Sequence, residues 1–97
     1  MIQSYCDDAT EDIFNGFTTK NAIRKLPLTL WNIARRRLDQ IDSVEKIEDL
    51  GNPPGNRLEA LGGNRKDQYS IRTNKRYRIC FTWSRNGPSD VEVVDYH

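Results

Sequence analysis

The chain has 97 residues, of which 36% are hydrophobic and 30% charged, with a net charge of only +1. Compact domains usually hold about 100–150 residues, so residues 1–97 amount to a single domain with one modest core. The balance excludes a uniformly basic or acidic protein, and no segment approaches the roughly 20 apolar residues needed to span a bilayer.

In chain order, MIQSYC reads as a short first strand, with Ile2, Ser4 and Cys6 on one face and Gln3 and Tyr5 on the other. Asp7 or Asp8 then offers a helix N-cap, Ala9, Ile13 and Phe14 supply an apolar stripe, and Gly16 a stop. The strongest helical signal is PLTLWNIARRRLDQID, 27–42. Pro27 suits a first turn, and Leu30, Ile33, Ala34, Leu38 and Ile41 share one face at three- and four-residue spacing. The Arg35–Arg37 run spreads over a wide arc at helical spacing, which reads as a solvated face or a surface for an acidic partner protein. Ser43 can cap a further short turn through Leu50, ended by Gly51, and GNPPGN, 51–56, is a loop.

From Arg57 the period changes to two. RLEAL, 57–61, is a short strand. YSIRT, 69–73, places Tyr69, Ile71 and Thr73 on one face and Ser70 and Arg72 on the other. RYRICFTW, 76–83, turns Tyr77, Ile79, Phe81 and Trp83 inward and Arg76, Arg78, Cys80 and Thr82 outward, with NKR as the hairpin between them. A last strand covers 90–95. The order predicts an α+β domain, helices packed on one face of a mainly antiparallel sheet.

Charge is segregated along this order. Residues 57–85 carry eight basic and two acidic side chains, a net of +6, against −2 for 1–56 and −3 for 86–97. A basic zone inside a near-neutral chain is the footprint of a phosphate-bearing partner. Arg72, Arg76 and Arg78 should share a face, where they would repel one another unless an anion lay between them. Each guanidinium matches two phosphate oxygens. The histidine, His97, ends the chain behind Asp95 and Tyr96. By position alone it reads as a frayed terminal residue. Beside an arginine face it suits proton transfer, because imidazole changes charge near neutral pH. Cleavage of RNA by its own 2′-hydroxyl needs a proton acceptor, a proton donor and cations on the phosphorane, with no metal or cofactor. No phosphate-binding glycine loop or zinc spacing is present.

Cys6 and Cys80 cannot build a disulfide framework, and MIQSYCDD has neither the basic nor the apolar region of a secretory signal. Free thiols, each a small buried hydrophobe, and a cytoplasmic location are expected.

PPGNRLEALGGNRKDQYSIRTNKRYRICFTW followed by VEVVDYH resembles the HigB branch of the RelE/ParE toxin superfamily, and the resemblance runs the length of the chain. It implies a microbial-ribonuclease-like fold and a type II toxin that cleaves mRNA on the ribosome, a metal-independent endoribonuclease (mRNA interferase) that halts translation and growth. The implied partners are the ribosome with its mRNA and a HigA-like helix-turn-helix antitoxin, through which alone an operator DNA would be contacted, and no membrane. Residue by residue, the resemblance implies proton transfer by His97, base stacking or orientation by Tyr96, positioning by Asp95 and phosphate binding by Arg78. Some relatives carry a histidine and a lysine where this chain has Glu59 and Gly62. Glu59 then becomes a candidate base, with the acid and base roles left open, and Arg57, Arg65 or Arg76 a candidate replacement for the missing cation. Lys66, Arg72 and Lys75 complete the expected RNA-binding set. A non-cleaving toxin of the same superfamily, acting on gyrase or on ribosome assembly, is the alternative reading.

Overall fold

The computed structural model describes residues 1–96. Three α-helices, α1 (Asp8–Asn15), α2 (Lys20–Lys25) and α3 (Trp31–Ser43), precede four strands, β1 (Glu59–Ala60), β2 (Gln68–Arg72), β3 (Tyr77–Ser84) and β4 (Gly87–Asp95). The strands form one antiparallel sheet in sequence order, β1-β2-β3-β4. Ile13, Leu26, Ala34, Leu38 and Ile41 from the helical half join Ile71, Ile79, Phe81, Val91 and Val93 of the sheet in one buried cluster. The α+β architecture is the expected one.

Local chemistry sets the helix ends. Asp7 caps α1, its carboxylate accepting from the Thr10 amide at 2.7 Å, and Gly16 closes the helix at φ 79°. Helix α2 lies outside the expected elements. Its six residues are too few to show a period, and only Ala22 is buried; Thr19 starts it by accepting from the Ala22 amide. The long helix begins later than its sequence suggests. Pro27 stands ahead of a 3₁₀ turn, Leu28–Leu30, and α3 proper starts at Trp31, which is buried with its indole N–H donating to the Leu26 carbonyl at 2.8 Å. Ser43 is the last residue of α3 and donates to the Asp39 carbonyl, so it does not cap the following 3₁₀ turn, Ile47–Gly51.

The first segment is a partial strand. It runs parallel to β4 with a single bridge, Tyr5 to Val91, supported by hydrogen bonds from the Gln3 amide to the Pro88 carbonyl and from the Cys6 amide to the Val91 carbonyl. Asp90, at φ 51°, interrupts the regular ladder on the β4 side. Cys6 is exposed here rather than buried; Cys80 is buried as expected. The other face of the sheet is not open either. Ser70 and Cys80 are fully buried and Arg78 is only 8% exposed; the Arg57 carbonyl meets Arg78 there, and Arg65 reaches from the loop before β2 to Glu92 on β4.

Among the described residues no helix is long and apolar enough to cross a membrane. Asp7 also pairs with Lys25 at 2.7 Å, which ties α1 to α2. Burial raises its carboxyl, but the Lys25 and Thr10 hydrogen bonds outweigh that and hold it below the ordinary value of 3.8. A depressed folded value stabilises above the unfolded one and is lost as pH falls through it. Asp7→Asn should therefore lower the unfolding free energy by about 1 kcal/mol at pH 7, with the gap to the parent closing below pH 4 in urea titrations.

Candidate phosphate-binding site

The β2–β3 hairpin places Arg72 directly opposite Arg78. Like charges facing each other across a strand pair are destabilising, and the structure separates them by giving each different partners. Arg72 Nε donates to the Asn74 carbonyl at 3.0 Å. Arg78 turns the other way, its Nε donating to Ser70 Oγ at 2.7 Å and its Nη2 to the Arg57 carbonyl at 2.6 Å. Arg57 presents that carbonyl from a left-handed conformation, φ 47°, an uncommon setting for a residue with a Cβ and one that gathers at functional sites.

The anions that the arginine face requires come from two strands. Glu59 of β1 brings Oε2 to 4.0 Å from Arg78 Nη2. Asp95, at the end of β4, receives Arg76 through Nε and Nη2 at 2.7–3.0 Å. That hydrogen-bonded pairing raises the Arg76 guanidinium above its ordinary value. The Tyr96 amide donates to the Arg76 carbonyl at 2.7 Å, and the Tyr96 ring then lies 5.8 Å from the Arg78 guanidinium.

A cavity of about 250 Å³ results, lined by Arg57, Glu59, Arg72, Asn74, Lys75, Arg78 and Tyr96. Four cations face one carboxylate there. Of the residues expected from sequence, Arg57, Glu59, Arg72, Lys75, Arg78 and Tyr96 converge on it. Three do not line it. Arg65 bonds Gln68 and Glu92, Arg76 bonds Asp95, and Lys66 is exposed on the loop before β2. Asp95 does not line it either, being paired with Arg76, and His97 lies outside the described residues.

Gly62 brings no cation to the cavity, and Arg57 lines it. Of the three arginines considered in its place, Arg57 alone lines the cavity, the other two being held by acids. Gly62 itself has an ordinary backbone and nothing within 4 Å of where a Cβ would stand, so the fold does not forbid a side chain there. Asn74 was not singled out from sequence. Its carbonyl holds Arg72, and its side-chain oxygen accepts from the Arg76 and Tyr77 amides, shaping the turn that presents Lys75. The signal was present in TNK, since asparagine bonds its own backbone two residues on in turns.

A larger hollow of about 310 Å³ lies at the far end of the β3–β4 hairpin, against Met1, Glu45, Trp83 and Arg85. Glu45 and Arg85 offset each other there, and none of the expected site residues among those described lines it. The polar cavity is the better candidate because charge and hydrogen-bond donors converge on it.

Residues 4–97 match the family model described as RelE-like toxin of type II toxin-antitoxin system HigB. The chain is 45% identical over 60 residues to Toxin HigB-1 of Vibrio cholerae, an alignment covering 62% of this chain and 63% of that protein, so it spans less than two thirds of that relative's length. It is 42% identical over 73 residues to an uncharacterized protein of Haemophilus influenzae, covering 75% and 71% of the two chains. In fold it is similar to a chain of the YoeB-YefM complex from Staphylococcus aureus, with a TM-score of 0.61 at 20% identity over 100% of this chain and 95% of that one.

Two backbone amides depend on Asn74 Oδ1 at 2.8 and 2.9 Å. Asn74→Ala should lower the unfolding free energy by about 1–2 kcal/mol, read as a fall in the urea midpoint at constant slope.

Proposed function

Because the chain belongs to the HigB family of RelE-like toxins of type II toxin-antitoxin systems, we propose that it is a ribosome-dependent endoribonuclease. It cleaves mRNA in the translating ribosome, and a HigA-like antitoxin neutralises it. The observation that carries this reading is the convergence of Arg57, Arg72, Lys75 and Arg78 on one cavity that also holds a carboxylate, Glu59, and an aromatic ring, Tyr96.

The parts suit cleavage by internal attack. The scissile phosphate sits among the guanidiniums, and the neighbouring base rests on the Tyr96 ring, which is 46% exposed and so free to stack. Glu59 takes the proton of the 2′-hydroxyl as its oxygen bonds to phosphorus. The 5′-oxygen leaves with a proton from His97, the residue that follows Tyr96 in the sequence. The products are a 2′,3′-cyclic phosphate and a free 5′-hydroxyl. Acid–base help of this kind is worth about 10²–10⁴-fold. Fixed guanidiniums beside the phosphorane stabilise its developing charge at no reorganisation cost. Asp95 holds Arg76 and, with it, the strand end that carries Tyr96.

Induced expression followed by primer extension on a reporter transcript should show discrete cuts within translated codons. Arg78→Ala and His97→Ala should each lower cleavage at least 10²-fold and relieve growth arrest. Intact transcripts during a translational halt would overturn the nuclease and favour a non-cleaving toxin acting on gyrase or on ribosome assembly. Binding of a short single-stranded RNA should weaken with salt at a log–log slope of about −3, as four phosphate contacts require, and Arg72→Ala should bring it near −2.

A further inference from the structure

We propose that Ser70 is a positioning residue for Arg78, holding one edge of its guanidinium so that the opposite edge is presented to phosphate; this rests on the nuclease reading above. Ser70 is fully buried in the middle of β2, with Glu59 opposite it on β1 and Cys80 opposite it on β3. It meets Arg78 twice. Its hydroxyl accepts from Nε at 2.7 Å, and its carbonyl accepts from Nη2 at 3.3 Å. The second Nη2 hydrogen goes to the Arg57 carbonyl. Three of the five N–H groups of the guanidinium are thereby engaged, those on Nε and Nη2. Nη1 has no acceptor among the described residues, although Arg78 lines the cavity.

A guanidinium so held cannot swing. The fork geometry is planar, so fixing Nε and Nη2 fixes the direction of the two Nη1 hydrogens as well. Without the Ser70 hydroxyl, Nε–H would be left buried and unpaired, and the side chain would rotate to satisfy it. Displacement of a catalytic group by about 1 Å can cost about 10²-fold in rate. Arg57, Arg72 and Lys75 would still attract the RNA, so the loss belongs to the chemical step.

The test uses the full chain with programmed ribosomes. Ser70→Cys keeps the volume but offers only a weak acceptor, Ser70→Ala removes it, and Ser70→Thr restores a hydroxyl. The expected result is a fall in kcat of about 10²-fold for the first two with KM within about threefold, and recovery towards the parent for threonine. In ¹⁵N spectra the Arg78 Nε–H of the parent should exchange slowly and shift on addition of inorganic phosphate, and both effects should vanish in Ser70→Cys. Parental kcat in Ser70→Cys, or a loss confined to KM, would overturn the assignment. If the parent chain does not cleave, the nuclease reading fails. The clamp is then decided by the phosphate titration alone: an unchanged Arg78 response in Ser70→Cys overturns it, and a lost response sustains it.

Discussion

The structure around the site depends on keeping one buried guanidinium hydrogen-bonded. Arg78 is 8% exposed on a central strand, with another arginine directly across from it. A buried charge is tolerable only when its donors are satisfied, and leaving one unpartnered costs several kcal/mol. Two carbonyls and one hydroxyl meet that demand at Nε and Nη2, while Nη1 is left to the cavity, and the chain bends to supply them. The left-handed backbone at Arg57 is one such bend. Its predecessor Asn56 is fully buried, donates to Leu50 and Gln40, and accepts from the Arg72 amide at 2.6 Å through its carbonyl. The loop that grips Arg78 is therefore anchored to α3 through Gln40 and to the turn that follows it through Leu50.

The same helix reaches the site a second time. Arg37 Nε donates to the Arg72 carbonyl at 3.2 Å, and burial followed by the nearby Arg36 lowers its guanidinium from the ordinary value. The arginine run on α3 thus divides its labour. Arg35 and Arg36 are exposed, while Arg37 braces the strand behind the cavity. The helical layer supplies rigidity to the β2–β3 hairpin, which is what a site assembled from long side chains requires.

Electrostatics then separates the cations into two kinds. Arg65 and Arg76 are held by Glu92 and Asp95 and contribute order. Among the described residues, Arg57, Arg72, Lys75 and Arg78 share only the Glu59 carboxylate, at 4.0 Å from one of them, and so keep a positive surplus facing the cavity. In the proposed reaction that surplus is what the phosphorane meets. Gly62 adds no charge to that surplus, and Arg57, whose backbone is left-handed, supplies one of its four cations.

Much of this chain was legible before any coordinate. Periods of 3.6 and 2 located α1, α3 and the three longer strands, because each buries one face against a common core and burial imposes its period on apolar residues. Glu59, Arg72, Arg78 and Tyr96 could be singled out from alternation and from resemblance. Helix α2 could not, since six residues with one buried alanine leave no period to read. Nor could the fate of the outward face. Alternation says that Arg78 and Ser70 point away from the helices, but not that both are buried there or that the Arg57 carbonyl arrives to accept from Arg78. Which arginines are spent on acids and which stay available is decided by contacts between residues 19 to 27 positions apart, such as Arg76 with Asp95 and Arg65 with Glu92. Sequence sets the charge and the face of each side chain, because both are local. Only the folded chain pairs them, because pairing depends on which distant strand or loop arrives alongside.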